Sequence, residues 1–160
     1  MGTVSLGFSP SGELGEPHPI EATVHAGPLA FPIDLWSTAD RRSAKRYLRW
    51  TERLLLALAR ETHADYGAIG MEAAFPTPSQ LMDQSLPASW PSTWFWSSEL
   101  GSRASAEEAQ LLSTLPPDAV TESDFGMTYH GWPFGGTPSD KVVGSRNVLR
   151  FLTRALPPLR

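Results

Sequence analysis

The nine residues STWFWSSEL, at 92–100, limit the fold more than any other stretch of this chain. Read as a strand, they alternate, so that Trp94 and Trp96 share one face while Thr93, Phe95 and Ser97 share the other. Both faces then carry an aromatic ring. Such a strand is covered on both sides, or its indoles face a partner, where tryptophan is enriched among the residues that carry binding energy. Just upstream, Trp90 lies between Ser89 and Pro91 in a loop and is better placed as an exposed anchor.

The remaining periodicities build a frame around this strand. TVSLGF at 3–8 and IEATVHA at 20–26 alternate with period two, which predicts an antiparallel pair across a long loop. LAFPIDLW at 29–36 is apolar enough for a third extended piece, confined to an edge by Pro32. A helix is predicted from about Ala39 to Glu61, capped by Ser37 or Thr38. Ala44, Tyr47, Leu48, Leu54, Leu55 and Leu58 lie on its apolar face, and Arg41, Arg42, Lys45, Arg46, Arg49 and Arg53 on its opposite face. AIGMEAAF at 68–75 and GMTYHGW at 126–132 read as further strands. Ser105 and Glu108 form a capping-box pair at the head of a short helix that Pro116 and Pro117 stop. The last helix begins near Ser139 or Asp140 and turns Val142, Leu149, Leu152 and Leu156 inward. The order predicts one α+β domain over 1–160, a mainly antiparallel sheet with helices packed on one face. With 160 residues, 41% hydrophobic and 10% aromatic, the chain has the material for one core.

The chemistry is bounded mostly by exclusion. With no cysteine, thiolate metal sites, disulfides and cysteine nucleophiles are ruled out. Neither lysine follows a phosphate loop, G-x-G-x-x-G is missing, and GFSPS lacks the second glycine of a nucleophile elbow. No cofactor and no metal is expected. A formal charge of −4 gives no global pull toward nucleic acid or an anionic membrane. The longest apolar run, LLLALA at 54–59, is far shorter than the ~20 residues that span a bilayer, and a cytoplasmic location is expected.

Four histidines are present, none at a metal-ligand spacing on one helix. His63 and Asp65, with Glu72 approaching, would make a small acid–base cluster; the simpler reading sets them at a helix end, where the C-terminal dipole favours a histidine. His130 sits in TYHGWPFGG among Tyr129, Trp132 and Phe134. If Met127, Tyr129 and Gly131 face one side of the strand, His130 and Trp132 face the other. That would give an aromatic pocket with one titratable group, and an enzyme reading pairs His130 with Asp65 or Glu72. The plainer alternative is a hydrogen-bonded histidine near a sheet edge. The cations at 41–49 raise a third reading, nucleic-acid contact with tryptophans stacking bases, but the rest of the chain is more acidic to compensate.

DYGAIGMEAAFPTPSQLMD, STWFWSSELG, DFGMTYHGWPFGG and VVGSRNVLRFLTRALPPL follow one another between 63 and 158. This succession resembles the small α+β immunity proteins that accompany bacterial polymorphic and type VI secreted toxins; residues 1–36 do not match. The resemblance implies a non-enzymatic binder that plugs a cognate toxin, and carries over no functional residue. The expected partner contacts are Trp90, Trp94, Trp96, Tyr129, His130, Trp132, Arg42 and Arg46. A protein partner is expected, with neither membrane nor nucleic acid.

Overall fold

A computed structural model describes residues 4–8, 20–24, 37–70, 93–131 and 138–156. The predicted N-terminal pair forms as β1 (Val4–Phe8) and β2 (Ile20–Val24), antiparallel, with Val4 opposite Val24 and Phe8 opposite Ile20. The extended piece expected at 29–36 lies outside the described residues.

Helix α1 spans Thr38–Thr62. At its start the Ser37 hydroxyl accepts the Asp40 amide at 3.2 Å, and the Asp40 carboxylate accepts the Ser37 amide at 3.0 Å. This reciprocal pairing satisfies donors that the first turn leaves open. The Ser37 side-chain bond, then the backbone bond, holds the Asp40 carboxyl below its usual 3.8. The far end closes as a Schellman motif: the His63 amide donates to the Arg60 carbonyl and the Ala64 amide to the Ala59 carbonyl, with His63 left-handed at φ 51°. His63 thus has the helix-end place that the simpler reading gave it.

Strands β3 (Tyr66–Ile69), β4 (Thr93–Ser97), β5 (Val120–Ser123) and β6 (Gly126–His130) form an antiparallel sheet in the order β3-β4-β6-β5. Strand β3 begins two residues before the predicted run and ends at Ile69; residues 71–75 of that run lie outside the described ones. The strand predicted through Leu100 stops at Ser97, whose hydroxyl accepts the Leu100 amide at 3.0 Å and starts α2 (Ser98–Ser102). A side-chain cap there competes with the ladder and wins. Helix α3 (Ala106–Ser113) carries the predicted capping box, with the Ser105 amide 2.6 Å from Glu108 Oε2 and the Glu108 amide 3.4 Å from Ser105 Oγ. Helix α4 covers Pro138–Ala155.

The fold is α+β, a four-stranded antiparallel sheet with four helices packed against it. Tyr66–Trp96 and Trp94–Tyr129 pair across the strands, so one face carries Trp94, Trp96 and Tyr129. These three pack with Leu100 of α2, with Leu115, and with Val148, Leu149, Phe151 and Leu152 of α4. Trp96 meets Phe151 edge-on at 5.8 Å between ring centroids. On the other face Phe95 meets Phe125 at 5.3 Å, and Leu55 of α1 lies so close to Gly67 that a Cβ there would be 2.8 Å from Leu55 Cδ1. Both sides of the aromatic strand are therefore covered. Contacts divide the chain into two compact units, Met1–Trp50 with Leu159–Arg160, and Thr51–Pro158, and the four-stranded sheet belongs to the second.

Candidate functional site

The expected partner contacts separate sharply by burial. Trp94, Trp96 and Tyr129 are 1%, 1% and 0% exposed. A buried aromatic removes roughly 150–250 Å² from water, a gross gain of about 4–6 kcal/mol at ~25 cal/mol per Å². These rings serve the core, and in this structure Trp94, Trp96 and Tyr129 present almost no surface to a partner. Trp90 and Trp132 lie outside the described residues. Arg42 and Arg46 are exposed on α1.

Arg42, Arg46, Arg49 and Arg53 succeed one another at spacings of four, three and four, and all are exposed, so they run along one side of α1. Beside them Trp50 is 40% exposed, a large apolar group left at the surface. Its ring lies 5.7 Å from that of Tyr47, tilted by 40°. Partial burial pushes the Tyr47 phenol above its usual 10.0. Among the described residues no ion pair engages Arg42, Arg46 or Arg49. Trp50 was legible as a neighbour of Arg46, four residues on, but its place beside the arginines is clear only once the apolar face is buried.

His130 lies on the sheet face opposite Tyr129, as alternation predicts. Of its two expected acidic partners, Asp65 is not among the groups bonded to its ring. The Asp65 carbonyl receives the Ser97 amide at 2.8 Å, and Glu72 is outside the described residues. Instead Glu52 of α1 reaches in, with its Oε1 2.8 Å from His130 Nδ1, while the Thr121 hydroxyl of β5 lies 2.9 Å from Nε2. A carboxylate only accepts, so Nδ1 carries the proton toward Glu52; in the neutral ring Nε2 accepts and Thr121 donates. Directly across on β4, Thr93 is fully buried, and among the described residues its hydroxyl has no hydrogen-bond partner. Among the described residues, no group of three histidines or acids is placed to hold a metal, and no helix is long and apolar enough to cross a membrane.

No family model, curated protein or solved structure matches this chain. What the two surfaces can do follows from their own chemistry: the α1 ridge offers guanidinium forks and an indole to an anionic surface, and His130 joins a carboxylate to a hydroxyl.

Proposed function

We propose that this chain is a cytoplasmic protein-binding module, immunity-like in action, which neutralises a cognate bacterial toxin by stoichiometric binding. The observation that carries the reading is the exposed ridge of Arg42, Arg46 and Arg49 with Trp50 beside it. Arginine and tryptophan are the residue types that dominate interface energetics, the first through bidentate bonds to carboxylates, the second through buried area. The succession of segments between 63 and 158 that resembles immunity proteins supports the same class of action.

Charge selects the partner's chemistry. Helix α1 holds seven of the chain's thirteen cations and three of its seventeen acids, so it carries +4 while the remainder carries −8. A long polyanion would be drawn to the ridge but opposed by the net charge of the rest of the chain. A compact acidic protein patch meets the ridge alone.

The test compares wild type with Arg42→Glu/Arg46→Glu and with Trp50→Ala, capturing partners from the source lysate and titrating the recovered protein. A toxin domain bound one to one, with affinity falling about tenfold to hundredfold in the double variant, is the expected result. If the folded wild type retains no protein, or the reversed charges leave the affinity unchanged, the reading fails.

A further inference from the structure

The geometry points to a hydroxyl-activating relay, Glu52–His130–Thr121, that makes Thr121 Oγ1 a nucleophile toward small activated carboxylic esters. This inference is independent of the binding reading, since Glu52, His130 and Thr121 are none of the residues that carry that reading and it needs no protein partner.

Three observations carry it. First, the bonds run in the order of an activated nucleophile: carboxylate to Nδ1 at 2.8 Å, and Nε2 to hydroxyl at 2.9 Å. The base is within reach of the nucleophile and is itself oriented by a third group. Second, exposure rises along the relay, from a Glu52 side chain 15% exposed, to His130 at 29%, to an exposed Thr121. The charge is sheltered where it must orient the ring, and the hydroxyl is open where an ester must arrive. Third, the three groups come from three elements, α1, β6 and β5. A pair that only tied α1 to the sheet would be complete with Glu52 and His130. The second ring nitrogen, bonded to a hydroxyl on the neighbouring strand, gives that pair an outlet to solvent.

The step balances with water as the one co-reactant. Thr121 Oγ1 bonds to the acyl carbon, the carbon–oxygen bond to the leaving alcohol breaks, and the hydroxyl proton passes to His130 Nε2, whose imidazolium Glu52 stabilises. An aryl oxide leaves with the electron pair. The imidazolium proton passes through solvent to the departed oxide, and water then slowly cleaves the threonyl ester, giving the free acid and restoring the hydroxyl.

The full chain would be treated with p-nitrophenyl acetate, following nitrophenolate release and mapping the acetyl group by peptide mass spectrometry. Expected is one acetyl group on Thr121, retained in Thr121→Ser and absent in Thr121→Val, with the acylation rate reduced roughly 10²–10⁴-fold in His130→Gln. Circular dichroism checks that each variant is folded; Thr121→Val, at an exposed position, serves as the control if His130→Gln does not fold. Acetylation confined to lysines or the amino terminus in wild type, or a Thr121 adduct that forms at the wild-type rate in folded His130→Gln, overturns the inference.

Discussion

At Gly144 a helix and a strand meet with no side chain between them. A Cβ there would lie 2.0 Å from the Tyr129 hydroxyl oxygen and 2.5 Å from its Cζ, well inside contact distance. Gly144→Ala is expected to destabilise by about 1–3 kcal/mol in urea titrations, even though alanine favours a helix interior by roughly 1 kcal/mol. If the clash with the hydroxyl is the cause, Tyr129→Phe will be less damaging in the Gly144→Ala background than in wild type, by ~0.5 kcal/mol or more. Equal penalties in both backgrounds would place the damage in the ring carbons or the helix backbone instead. His63 presents the opposite case, a side chain where glycine fits better. Its φ of 51° is left-handed, a conformation in which a Cβ is strained. His63→Gly should therefore raise stability by about 1 kcal/mol and the melting temperature by ~2–4 °C. A lower melting temperature would mean that the imidazole contributes more than the helix end requires.

The elements differ in how plainly their residues announce them. Helices α1 and α3 were legible because each has both an apolar period and a cap, Ser37 with Asp40 and Ser105 with Glu108. The α1 cap also sets a pH response. Asp40 has a lowered folded pKa, so its contribution is complete above the ordinary carboxylate range and is lost as pH falls through the folded value. Ser37→Ala, which removes the largest cause, should move the Asp40 titration upward, followed by the Asp40 carboxyl resonance; an unmoved titration would assign the lowering to another group. Strand β4 was legible from alternation, but not its end, because a single serine hydroxyl turns Ser97 from ladder residue into helix cap. Strand β5, VTES, went unseen for a different reason. Its exposed Thr121 and Glu122 follow the short turn of Pro117–Ala119, and four residues with a polar face carry little periodic signal.

Across the whole molecule, charge and sequence distance decide what could be read in advance. The arginine face of α1 was visible because helical spacing places Arg42 and Arg46 together. The partner of His130 was not, because Glu52 lies 78 residues away and no local pattern joins them. With +4 on α1 against −8 elsewhere, single-stranded oligonucleotides should show no retention in low-salt anisotropy titrations, where phosphate contacts are strongest. Tight binding that weakens steeply with added salt would move the ridge from protein to nucleic acid. The sheet's outline has a consequence of another kind. Among the described strands its outer members are β3 and β5, each four residues long, and β5 carries an exposed Glu122. Two copies meeting along β5 would gain few backbone bonds and would bring acid toward acid, so the β5 edge resists recruitment into fibrils.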